Sequence, residues 1–169
     1  GDMLGDHNLW AKRSFYEGSA NVPMILLGTA GDERVGFNKV DERLCGWRDV
    51  MPTLLDLASI DIPDTVEGLS MIGEEKREWF YGEVGEGDCA TRMIRDNRYK
   101  LVYYAAGNAR LLFDMENDPR ELVDLSKDSG HAEILKRLTG LLIGELYGED
   151  LTWMENGELV GRPNREFQE

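Results

Sequence analysis

Hydrophobic positions are scattered over the first 21 residues and then close up into one unbroken run, VPMILL, at 22–27. A continuous apolar run of that length is the pattern of a strand buried on both faces, as in a parallel sheet. Just before it, SFYE at 14–17 has the spacing of a capping box, with the Ser14 hydroxyl on the Glu17 amide and the Glu17 carboxylate returning to Ser14. The helix so started ends near Asn21, because Pro23 disfavours helix at Val22. Beyond a polar loop from Gly28 to Arg43, RDVMPTLLDLASIDIP predicts a helix capped by Asp49, with Pro52 inside the first turn, where its missing N–H costs no bond. Val50, Leu54, Leu57 and Ala58 recur there at helical spacing, and Met51, Leu55 and Ile60 widen the apolar stripe. The Pro- and Gly-bearing stretch IDIPDTVEGLSMIG then reads as a passage between two structural units.

From there the period changes. REWFYGEV, ATRMIR, RYKLVYY and ARLLFD are four β-prone runs joined by EGDC, by a two-residue turn at Asp96 and Asn97, and by AAGN. Connections this short make antiparallel neighbours. At NDPRELVDL, Asp118, Pro119 and Glu121 fit N-cap, N1 and N3 of a short helical turn. A longer helix is predicted from about His131 to Tyr147, its stripe of Ile134, Leu135, Leu138, Leu141, Leu142 and Leu146 suited to cover one face of the meander. The expected fold is therefore the end of an α/β domain over 1–75, then a small α+β unit over 76–148 made of a four-stranded antiparallel sheet under a carboxy-terminal helix. The polar tail, 149–169, keeps isolated apolar anchors and is a candidate contact for a homo-oligomer.

Charge narrows the function classes. With 33 acidic against 19 basic residues, the net charge of −14 disfavours a nucleic-acid surface, which needs clustered Lys and Arg. No apolar run approaches the roughly 18 residues of a membrane span. Cys45 and Cys89 show neither CxxC spacing nor a neighbouring histidine, which argues against a zinc site or a disulfide scaffold. In an acidic chain, an anionic substrate needs a local cation. The opening stretch, GDMLGDHNLWAKRSFYEGSANVP, gathers Asp2, Asp6, His7, Lys12 and Glu17 on a loop before a capped helix and a buried strand, which is where α/β proteins place ligands.

That stretch resembles the sulfatase family of the alkaline phosphatase superfamily, whose members read approximately S-D-H-G-[DE]-x-L-G-x-H-x-x-x-x-K-x-x-x-[YF]-E-x-[SAG]-x-x-[VI]-P. Gly1 aligns with the glycine of D-H-G, and Leu4, Gly5, His7, Lys12, Tyr16, Glu17 and Pro23 follow in register. The GDMLG start with LW and K is especially similar to choline-sulfatase-type and phosphonate-monoester-hydrolase-type members. RDVMPTLLDLASIDIP resembles the family's D-[LV]-x-P-T-[LI]-L-[DE]-L-A-G-[IV] helix, with Ser59 where glycine is usual. RMIRDNRYKLVYY resembles its R-x-[IV]-R-x-x-x-[YW]-K-[YL] strands, and LLFDMENDPRELVDLSKD its E-L-[YF]-D-L-x-x-D-P-x-E-x-x-N-L signature, with Asp124 for asparagine.

The resemblance implies a small sulfate-ester substrate, a formylglycine made from Cys or Ser within C/S-x-P-x-R, and a bound Ca²⁺ or other divalent metal. Neither CGWRD nor CATRM is that motif, and the family's Asp-His metal pair would end one residue before Gly1, so formylglycine and metal ligands are expected outside this chain. Lys12 is the catalytic position that the resemblance carries intact, matching a lysine that contacts a sulfate oxygen. His7 is expected either to border the pocket or to hold loop backbone. Asp2, Trp10 and Tyr16 are candidates for lining the substrate side, and Glu17 for no more than the capping partner. The isolated chain is expected to be inactive. Two alternatives stand beside this reading: a phosphonate or phosphate ester hydrolase of the same superfamily, and a non-catalytic assembly module.

Overall fold

A computed structural model describes residues 1–29 and 31–162. Its contacts form two compact units, one made of Gly1–Val22 together with the chain from Trp79 onward, the other of Pro23–Glu78.

In the first unit, strands β1 (Trp79–Val84), β2 (Thr91–Asp96), β3 (Tyr99–Tyr104) and β4 (Ala109–Asp114) form an antiparallel meander in the order β1-β2-β3-β4. The register pairs Ile94 with Leu101 and Leu101 with Leu112. The β2–β3 turn is one residue later than the spacing predicted, at Asn97 and Arg98, because the Asp96 carboxylate accepts from the Arg98 and Tyr99 amides and closes it there.

Alternation sorts the side chains onto two buried faces. Ile94, Leu101, Tyr103 and Leu112 pack under helix α3 (Ala132–Glu145) against Leu138 and Leu142, as its leucine stripe predicted. Trp153 and Leu159 join the same cluster, so the tail through Arg162 lies on its own sheet, ending in the short hairpin β5 (Met154–Glu155) and β6 (Glu158–Leu159). The rest of the tail proposed as an oligomer contact, 163–169, lies outside the described residues. On the opposite face, Met93, Val102, Phe113 and Met115 are covered by Phe15 from the opening stretch. The middle strands are thus dry on both sides, which is why RYKLVYY reads as a nearly continuous apolar run.

The helix at the start is shorter than the capping-box pattern predicts. α1 (Glu17–Ala20) begins after Tyr16, the Ser14 hydroxyl faces the Met3 sulfur, and the Glu17 carboxylate turns away from the helix. Glu17 instead accepts from Arg95 and Lys100 on the sheet, since a charge-assisted bond in a partly buried setting outweighs a local cap. The helical turn predicted at Asp118 does not form either. Glu121 sits at φ 57 and its carboxylate is recruited by the same lysine.

In the second unit, α2 (Val50–Leu57) is the predicted packing helix, preceded by a 3-10 turn at Trp47–Asp49. Asp49 is buried but caps no α2 amide. Its carboxylate holds the Gly46 and Leu69 amides at 2.8 Å each and the Arg77 guanidinium at 2.7 and 2.8 Å. Thr53 accepts from the Met71 amide at 2.8 Å, so the Asp and Thr of the helix motif hold loop 68–71. Gly68 lets that loop in: a Cβ there would lie 1.9 Å from the Arg48 carbonyl oxygen.

The buried strand expected at VPMILL is not present. Residues 21–29 have no regular structure, and Ile25 and Leu27 are 78% and 89% exposed. A strand needs a hydrogen-bonding neighbour, and none of the described strands lies in this unit.

Candidate functional site

The opening stretch is a built loop. Met3 is buried, its amide donates to the Ala11 carbonyl at 2.8 Å, and the Gly5 amide donates to Leu9 at 2.9 Å. Gly1 packs so closely on α1 that a Cβ would lie 2.2 Å from the Gly18 carbonyl oxygen. Leu4, His7, Asn8, Ala11 and Arg13 all take left-handed φ between 49° and 72°. Non-glycine residues hold that conformation only where surrounding contacts over-determine it.

The loop brings together some of the candidates named from the sequence. The His7 ring stacks on Tyr16, with centroids 4.0 Å apart and planes 15° from parallel, and its Nε2 lies 3.1 Å from the Arg120 carbonyl oxygen. His7 thus meets the backbone of the 120–121 turn. Tyr16 in turn tilts onto Phe113, with burial as the first cause holding its phenol above the usual range. The Asp2 carboxylate accepts from the Leu4 amide at 3.3 Å, a turn-forming bond. Trp10 is 75% exposed. Lys12 is exposed and no described side chain pairs with its ammonium.

Beneath the loop lies a charge cluster that sequence reasoning missed. Lys100 on β3 is 1% exposed, and its ammonium donates to the Phe15 carbonyl at 2.8 Å, to Glu17 Oε1 and to Glu121 Oε1 at 2.6 Å. Glu121 Oε2 accepts from the Glu17 amide at 2.7 Å, and Arg95 donates to Glu17 at the same distance. Two cations and two carboxylates leave the cluster neutral, as burial demands. Burial raises the Glu17 pKa, but Lys100 and Arg95 outweigh it and hold the carboxyl below its usual range. One signal was available: Lys100 is the lone charge inside an otherwise apolar strand.

Among the described residues, no group of three or more His, Cys, Asp and Glu side chains is placed to hold a metal ion. The described residues therefore do not by themselves fit a metal centre. No described helix is long and apolar enough to cross a membrane.

Comparison with known proteins defines the class first. The crystal structure of phosphonate monoester hydrolase of Agrobacterium radiobacter matches 96% of this chain and 37% of its own, with a TM-score of 0.70 at 26% identity. A Bacteroides thetaiotaomicron VPI-5482 protein assigned as a sulfatase matches 84% of this chain and 33% of its own, with a TM-score of 0.75 at 32% identity. These are sulfatase-type hydrolases of the alkaline phosphatase superfamily. More particularly, the family model described as "N-sulphoglucosamine sulphohydrolase, C-terminal" matches residues 5–146, and the chain belongs to that family.

Among curated relatives, an arylsulfatase of Clostridium perfringens is 36% identical over 95% of this chain and 34% of its own length. A choline-sulfatase of Rhizobium meliloti is 35% identical over 76% of the chain and 26% of its own length. The chain spans about a third of the length of the curated relatives it matches.

Proposed function

We propose that this chain is the carboxy-terminal part of an enzyme that hydrolyses small sulfate esters. In this reading residues 1–75 complete the α/β catalytic domain, and a preceding part supplies the formylglycine nucleophile and the divalent metal. Lys12 is the residue of this chain that touches substrate: a compact ammonium on a pinned loop, facing a sulfuryl oxygen and neutralising charge there as the ester bond breaks. His7 positions the loop through Tyr16 and Arg120, while Asp2, Trp10 and Tyr16 line the substrate side.

The observation that carries the reading is the exposed ammonium of Lys12, with which no described side chain pairs, on a loop held by bonds from the Met3, Gly5, Asp6, Asn8 and Leu9 amides. The exposed run 24–27 supports a missing sheet partner, since so many adjacent apolar side chains are rarely left in water. The test is turnover of a chromogenic aryl sulfate by the longer gene product, by its Lys12→Ala variant and by this chain alone. The longer protein is expected to be active. The variant should lose about 100- to 1,000-fold in kcat, the cost of one oxyanion-stabilising donor, and the chain alone should not exceed the buffer rate. A Lys12→Ala enzyme with undiminished kcat would remove Lys12 from the site.

A second reading, hydrolysis of phosphonate or phosphate monoesters, draws on the 96% coverage of this chain by the phosphonate monoester hydrolase structure. Comparing kcat/KM for sulfate and phosphonate esters of one leaving group decides between them.

A further inference from the structure

Lys100, a buried cation on β3, is joined to the opening loop through Phe15 and Glu17. We propose that Lys100 is a positioning residue: its ammonium clamps the strained opening loop to the sheet and so holds Lys12 where it meets substrate. The inference rests on the proposed sulfate-ester reading for what Lys12 does, but on geometry alone for what Lys100 does.

Lys100 Nζ donates to three acceptors on two segments. The Phe15 carbonyl and the Glu17 carboxylate lie at the end of the loop, and the Glu121 carboxylate lies in the turn after β4. Glu121 then returns to the Glu17 amide, and the neighbouring Arg120 carbonyl meets His7 inside the loop. The loop is therefore tied to the sheet through Phe15 and Glu17, and to the 120–121 turn through His7 and Glu17, with the Lys100 ammonium at the node.

Five left-handed non-glycine residues between Leu4 and Arg13 need such a clamp, because residues in that conformation persist only where surrounding contacts enforce it. A surface ion pair would not suffice, since it exchanges freely with water. Lys100 and Glu121 are both almost wholly buried, and the clamp acts without solvent competition. Glu121 itself sits at φ 57, so the turn is strained toward the lysine as well.

The test compares the longer gene product with its Lys100→Met and Glu17→Gln variants, using two readouts. Amide hydrogen exchange should accelerate at least about 10-fold at Met3, Gly5 and Leu9, whose amides bond within the loop, and stay unchanged at Ile94, Leu101 and Leu112. Steady-state turnover of the aryl sulfate should fall in kcat by up to about 100-fold, the scale of an ångström-sized misplacement, with KM nearly unchanged.

Loop protection that stays intact in the variants overturns the proposal, as does protection lost equally across the sheet. If Lys100→Met fails to fold, Glu17→Gln decides, because it keeps the side chain's size and removes one charge of the clamp. If the unsubstituted protein is inactive on sulfate esters while the variants loosen the loop, the sulfate-ester reading is refuted and the clamp stands. An active enzyme with an unchanged loop and unchanged kcat would do the reverse.

Discussion

Replacing Asp150 by Asn should destabilise the sheet unit by about 3 kcal/mol. Asp150 and Arg92 are 7% and 5% exposed, and they form a two-pronged pair, Nε to Oδ2 at 2.6 Å and Nη2 to Oδ1 at 3.0 Å. Removing one member of a buried pair leaves the other charge uncompensated, which typically costs about 3–5 kcal/mol. The lower end applies, because Arg92 keeps the Glu83 carboxylate at 3.7 Å, donates to the Thr91 carbonyl at 3.0 Å and more weakly to Gly85, and lies 5.0 Å over the Trp153 ring. At roughly 2–4 °C per kcal/mol for a chain of this size, the melting temperature should fall by about 6–12 °C. Urea unfolding followed by tryptophan emission reads this unit, because Trp153 is buried whereas Trp10 and Trp47 are 75% and 82% exposed. The double variant Arg92→Met with Asp150→Leu should recover most of the loss, since an apolar pair leaves no charge stranded. A loss below about 1 kcal/mol for Asp150→Asn, the range of a surface pair, would refute the reasoning.

Other consequences are equally measurable. Gly68→Ala should destabilise the 23–78 unit by at least about 2 kcal/mol, since a Cβ 1.9 Å from a backbone oxygen forces the loop off α2; an unaltered circular-dichroism melt would contradict it. Burial, reinforced by the charges of Tyr16 and Glu121, pushes the Tyr104 phenol up to about 12 from the usual 10. Its stabilisation is complete below pH 10 and is lost as the pH rises toward 12, so phenolate absorbance should show a late step coincident with unfolding. Glu17 carries the opposite sign. Its depressed carboxyl stabilises the fold above pH 4.5 and ceases to do so as the pH falls through the folded value, so acid should release the opening loop before the α3 face; exchange protection measured along an acid titration checks the order.

Much of this architecture was legible in residue order because it depends on local pattern. The meander followed from period-two runs with short connections, and α3 from a leucine stripe at helical spacing. The failures have a common cause. Ser14 with Glu17, and Asp118 with Glu121, have good local cap spacing, yet both glutamates are drawn to Lys100, which is distant in sequence and adjacent in the fold. Asp49 likewise leaves its expected capping role for Arg77 and the Leu69 amide.

VPMILL marks the limit from the other side. Its pattern predicts a buried strand, yet residues 23–27 are exposed and irregular, because a strand exists only with a neighbour to pair with, and pattern alone cannot supply one. By itself, then, the sequence determined the elements whose stabilising contacts lie within a few residues, together with the motif that marks the chain as sulfatase-like. Tertiary structure decided which buried charges meet, because ion pairing in a dry interior depends on distance in space and outweighs the weaker preference of a side chain for its own backbone.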